Sequence, residues 1–364
     1  MRRRDLLLSC CGAAAAAEER KPREWVTAAA SRDTAPRVGL IPSTFRGSVE
    51  LDGRKIRGLA RPAPINAPLT ADQLDDMLRL AVELGGGRRG GLFTAVGRED
   101  WVVIKIAAPA CPGDPSWHPG MVTDPRLVAA LLGYLARRGL GARFSIVEAA
   151  PCRAAIWESR WMGRFDGLTY RALVDAAAKQ HPSRRFELID LNTAPALEMP
   201  VEGRVLASRN PGGMYRVPRV LRECDRVISV APLAAVSGAP VALSILNYLG
   251  FSPGMRVGEL GEPGEVALDL FGFHPADYAI LGGSFAAAWA GSGSAERRHN
   301  VLIAGTNAPA VDAVGAAVMG FDSTAIRHLN LAVQRGYGPD DAYAIWTRGA
   351  EIDSVRVDFR PPPA

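Results

Sequence analysis

One of only four lysines in the chain, Lys105, ends an apolar run, "WVVIKIAAP". An ammonium on a strand of that kind must reach a polar place, and the end of a buried strand is where ligand crevices open. There Lys105 could hold an anion or, if desolvated, act as a base or Schiff-base amine; an ion pair with a neighbouring carboxylate is an equal alternative. Other polar residues follow comparable runs: Glu148 in "RFSIVEAAP", Asn192 after "FELID" and Asn307 in "LIAGTNAP"; Asn247 precedes Tyr248-Leu249-Gly250, where satisfying a turn is the simpler role. Asp312, in the first turn of a predicted helix "PAVDAVGAAVMG", and Thr123, in "VTDPRL", complete the ligand-binding candidates: Lys105, Thr123, Glu148, Asn247, Asn307 and Asp312. For Asp312 a favourable place in the helix dipole is the stronger expectation than catalysis.

Other chemistries find less support. His118 lies in "CPGDPSWHPG" near Cys111 and Asp114, but a Pro- and Gly-rich segment with one histidine reads first as a loop. His181, His274, His299 and His328 show no ligand spacing, so no metal site is expected. "LGGSFAAAWAGSGS" reads as a glycine-rich loop and a weak phosphate cradle, because it lacks a Gly-Lys-Ser/Thr ending. No Gly-x-Ser-x-Gly elbow occurs, which removes that class of serine hydrolase.

The elements that must position these residues follow from periodicity. "RVGLIPSTF", "WVVIKIAAP", "RFSIVEAAP", "FELIDLN", "DRVISVAP", "DYAILGG" and "NVLIAGT" are continuous apolar strands, and "VELDGRKIRG" is a hairpin around Asp52-Gly53. Helical stretches lie between several of them. One opens at an N-cap Thr70 with Gln73 three residues on, a second near Pro125, a third is "LTYRALVDAAAKQ", and a fourth is "APAVDAVGAAVMG". Apolar strands alternating with helices predict an α/β fold with three layers, a mostly parallel sheet and helices on both faces.

At 364 residues the chain suits one large domain or two packed lobes, and 48% hydrophobic with 22% charged residues is ordinary for a globular protein. A net charge of +5, carried by scattered arginines, gives no basis for a nucleic-acid partner. The opening "MRRRDLLLSCCGAAAAAEER" resembles a twin-arginine export signal, so residues 1–17 are expected to be a signal, 18–36 a linker, 37–352 the folded domain and 353–364 a tail. An exported, periplasmic or envelope location follows, with Cys10 or Cys11 as a looser possibility for lipid attachment. Beyond the signal no segment is apolar enough to span a membrane. Cys111, Cys152 and Cys224 remain; an oxidising compartment would permit one disulfide, and spacing does not choose the pair.

"VVIKIAAP" with "VTDPRLVAALLGYLARRG", and "VLIAGTNAPAVDAVGAAVMGFD" with "IRHLNLAVQRGYG", resemble the bacterial and archaeal family called domain of unknown function 362, over Arg37 to about Ile352. Some members of that family carry a ferredoxin-like module; this chain has no iron–sulfur motif, and its cofactor is left unknown. The resemblance also supplies a residue map. Relatives carry Pro, Lys and His, then Thr and Lys, before an Asn-Leu-x-Gly turn. Here Pro232 is followed by "LAAVSGAPVALSILNYLG", with Ala242 and Leu246 at the Thr and second Lys, while Asn247 and Gly250 are retained. A Lys-Pro-Asn becomes Lys105-Ile106-Ala107, an expected acid is Gly282, another is missing from "AAAWAGSG", and an expected Asp is Asn307. The expectation is a non-catalytic protein that binds a small molecule or a protein partner at a vacated site. The alternative is an enzyme, with redox-linked chemistry as one option, using Lys105 with Asp312, Glu148 or Asn247.

Overall fold

A computed structural model describes residues 36–51, 53–86, 91–115, 117–236, 239–290 and 293–359. The expected signal, its two cysteines, nearly all of the linker and the last residues of the tail lie outside them.

Among the described residues, fourteen strands run in chain order: β1 (Arg37–Pro42), β2 (Ser48–Leu51), β3 (Arg54–Arg57), β4 (Trp101–Ile106), β5 (Arg143–Glu148), β6 (Arg185–Asp190), β7 (Ala196–Pro200), β8 (Met214–Pro218), β9 (Arg226–Ala231), β10 (Ala234–Val236), β11 (Ala239–Ala242), β12 (Tyr278–Ala290), β13 (Gly293–Gly305) and β14 (Trp346–Gly349). The main sheet has the order β14-β1-β13-β12-β9-β4-β5-β6, with β10 and β11 attached beside β12. The pairs β12/β9, β9/β4, β4/β5 and β5/β6 are parallel, as is β1/β14. Antiparallel β13 joins the two halves. This is the α/β architecture, mostly parallel with helices on both faces, that the strand-helix alternation predicts.

The apolar runs are continuous because both faces are covered. Alternate residues feed two cores: Val103, Val301 and Ile303 face one, Val102, Ile104 and Leu302 the other. Helices Ala71–Leu84, Pro125–Arg137 and Tyr170–Gln180 cover the second core, and helices Pro263–Phe273 and Ala308–Val318 the first. Helix starts are encoded locally. Thr70 and Gln73 form a reciprocal capping box, Asp124 accepts from the Arg126 N–H, and Thr169 accepts from the Ala172 N–H.

Two expectations are corrected. Over its described residues "LGGSFAAAWAGSGS" is strand and not loop: β12 runs through its first part and pairs in antiparallel register with β13. Its Gly282 has φ +104 and its absent Cβ would lie 1.9 Å from the Val301 carbonyl oxygen, so it serves close backbone approach. Asp312 stands beyond the first turn of its helix, which holds no acidic residue, and its carboxylate turns to a different segment.

Strand order fixes where a crevice opens. From β4 the chain steps outward to β5 and β6, then returns to the other side of β4 as β9 and continues to β12. The order reverses between β4 and β9, and the carboxyl ends of the strands at such a reversal leave a gap uncovered by crossovers.

Candidate functional site

At that reversal lies a pocket of about 490 Å³. Lys105 stands one residue from the end of β4 and Glu148 ends β5 beside it. Asn247 enters from a short 3-10 turn, Leu246–Phe251, lying across the ends of β4 and β9. The three are buried, at 1%, 5% and 9% exposure, and they meet on the pocket floor.

Lys105 Nζ is 3.1 and 3.0 Å from the two Glu148 oxygens, 3.0 Å from Asn247 Oδ1 and 2.7 Å from the Ile106 carbonyl oxygen. An ammonium has three hydrogens to give, and four acceptors already share them. Glu148 accepts as well from the Ala108 N–H at 2.9 Å and the Ala149 N–H at 2.7 Å. Asn247 Nδ2 donates to the Lys105 carbonyl and to Ser229 Oγ, both at 3.0 Å. Every polar side-chain atom of the trio is therefore engaged within the protein. Burial pushes the Lys105 ammonium below its ordinary range, and Glu148 opposes that shift. Gly250 presses its backbone on the pair: a Cβ there would come within 2.7 Å of both Glu148 Oε1 and Lys105 Nζ.

The network continues beneath the floor. Ser229 Oγ donates to the Ser244 carbonyl, and Asp312 accepts from the Ser244 N–H, the Ser244 hydroxyl and the Ile245 N–H at 2.9, 2.5 and 2.9 Å. Burial pushes the Asp312 carboxyl up to about 7 against those three hydrogen bonds. Asp312 therefore holds the segment that presents Asn247, and it does not line the pocket. Thr123 also lies behind the wall, its hydroxyl donating to the Val230 carbonyl and accepting from the Ala107 N–H.

Asn307 is separated from this group by topology. It follows β13, whose last residue pairs with Ala279 near the start of β12, at the opposite end of the sheet. There it caps its helix, accepting from the Ala310 N–H and donating to the Tyr337 carbonyl. Asn192, after edge strand β6, bonds Asp190 and the Ala150 carbonyl and also stays outside the pocket. Of the six candidates, then, Lys105, Glu148 and Asn247 come together, Thr123 and Asp312 support them, and Asn307 stands apart.

The walls are apolar. Ala231, Ala234, Ala239 and Ala242 line the pocket together with Leu243, Leu246 and Leu249. Four rim positions are prolines, Pro109, Pro151, Pro232 and Pro263, which carry no backbone N–H. Pro109 and Pro151 belong to the segments after β4 and β5, and a Cys111–Cys152 disulfide joins those segments just beyond them. Cys224 is buried and outside the disulfide, its sulfur lying 3.6 Å from the Leu221 carbonyl oxygen and 3.7 Å from His274 Nδ1. The described residues contain no group of three or more potential metal ligands.

Sequence reasoning missed a second buried polar cluster. Arg126 donates to Asp124, Asp166, Ser284 Oγ and the Leu69 carbonyl, tying a helix start to β12. Its only sequence signal is an arginine directly after an N-cap Asp-Pro, a position that ordinarily faces water. Ser229 and Ser244 were missed for a related reason: a small hydroxyl in an apolar run signals nothing until its partner is known.

Residues 102–317, more than half of the chain, match the family described as Domain of unknown function (DUF362). That span is narrower than the Arg37–Ile352 stretch suggested by the pattern. No curated protein matches at a significant level. Among solved structures, the chain is similar to a crystal structure of a Thermotoga maritima protein from a structural genomics consortium. Identity is 10%, coverage 63% of this chain and 54% of the other, and the TM-score 0.31. The chain thus spans about half the length of that structure.

Proposed function

For this chain, which belongs to the domain of unknown function 362 family, we propose an exported, non-catalytic role: holding a small molecule in the pocket at the β4/β9 reversal. The observation that carries this reading is the saturation of Lys105, Glu148 and Asn247 by one another and by backbone groups. Catalysis needs polar groups free to meet charge as it develops, and this floor offers none among its side chains. A pocket of about 490 Å³ lies within the usual range for small-molecule sites, about 300–1,000 Å³. The Cys111–Cys152 bridge supports export, because such bonds persist in oxidising compartments. The Arg3-Arg4 start supports it as well.

The test is native mass spectrometry with elemental analysis on the protein isolated from the envelope of a natural host. A co-purifying organic molecule at one equivalent supports the role. A stoichiometric metal or redox cofactor sinks it and makes the polar trio catalytic.

The burial of Lys105 beside Glu148 at the end of β4 favours a second reading, an enzyme that uses this lysine. Limited acylation at pH 8 with peptide mapping separates the two. Labelling of Lys105 ahead of exposed Lys55 and Lys179 favours the enzyme; protection of Lys105 favours the binding role.

A further inference from the structure

We infer that the ligand of this pocket is an uncharged, largely apolar molecule, and that anions are rejected; this rests on the binding reading above. The floor holds one ammonium and one carboxylate 3.0 Å apart, so it presents no net charge. No hydrogen on Lys105 Nζ or Asn247 Nδ2 is left for a guest.

Backbone N–H groups at the ends of β4 and β5 are also taken up. At strand ends and helix starts, free N–H groups ordinarily cradle negative charge. Here the Ala107 N–H goes to Thr123, and the Ala108 and Ala149 N–H groups go to Glu148. Pro109, Pro151, Pro232 and Pro263 have none to offer. The helix whose first residue, Pro263, lines the pocket starts with Glu262 and Glu265, and Glu265 is already paired with Arg327. Alanine and leucine walls then reward only apolar surface. A charged guest would lose its hydration and gain no partner.

The test uses two fluorescent probes of one scaffold on the full-length protein: neutral N-phenyl-1-naphthylamine and anionic 1-anilino-8-naphthalenesulfonate. Two variants plug the pocket, Ala149→Phe on the half-buried segment after β5 and Ala242→Phe on β11. Circular dichroism selects the variant that keeps the fold. The expected result is saturable binding of the neutral probe, weakened by about tenfold or more in the plugged variant, with the sulfonate bound about tenfold more weakly in the unaltered protein. Plug-sensitive sulfonate binding as tight as that of the neutral probe overturns the ligand class and leaves the binding role standing. Binding of both probes that ignores the plug, or no binding of either, overturns the binding role itself.

Discussion

At the scale of single residues, the buried Lys105–Glu148 pair dominates. Removing one partner leaves the other charged and unpaired in an apolar surround. Lys105→Met is therefore expected to lose about 3–5 kcal/mol in urea unfolding, and adding Glu148→Gln should restore part of it. If the double variant is no more stable than the single one, the pair is not the energetic unit described. The buried imidazoles of His299 and His328 are held down at about 4 by desolvation, against an ordinary 6.5. Between those values the unfolded chain binds more protons, so their contribution is complete above pH 6.5 and lost as the pH falls through about 4, up to about 3 kcal/mol each. Asp312 has the opposite sign. With its carboxyl raised to about 7, the native state holds the extra proton, and stability falls as the pH rises from about 4 towards 7. Two histidines outweigh one carboxyl, so urea midpoints should rise from pH 4 to 6.5, and His299→Gln with His328→Gln should flatten that rise. An unchanged slope in the double variant would assign the dependence to other groups.

Elements decide what those residues can reach. The loops after β4 and β5 are joined by Cys111–Cys152 across a sequence separation of 41. Reduction should cost about 4 kcal/mol in the chain-entropy picture, and Cys111→Ser with Cys152→Ser should match it. Both treatments should also weaken neutral-probe binding, because Pro109 and Pro151 lose their common anchor; binding that stays unchanged would show that the rim is held by packing alone. At this scale much was legible in the sequence. The caps at Thr70, Asp124 and Thr169 begin helices as local chemistry requires, and Lys105 and Glu148 stand at strand ends as their runs indicate. The long β12–β13 pairing was not legible, since Gly282 and a stretch of alanines satisfy loop and strand patterns equally until a partner strand is known.

For the molecule as a whole, one continuous sheet carries both cores, and we propose that residues 37–352 unfold as one unit. Tryptophan fluorescence and far-ultraviolet circular dichroism should then report coincident transitions. Separate midpoints would instead reveal two lobes.

The sequence by itself determined seven apolar strands, the β2–β3 hairpin, four helices, the apolar character of "LAAVSGAPVALSIL" and the residues that follow those strands. Those are local properties, set by periodicity and capping. Only the tertiary structure decided which strand ends become neighbours. Lys105, Glu148 and Asn247 meet because β9 returns beside β4. Asn307 looks equivalent in sequence, but β13 runs antiparallel and carries it to the far end of the sheet. A strand's direction in a sheet depends on the partner it pairs with, and no short stretch of the chain contains that information.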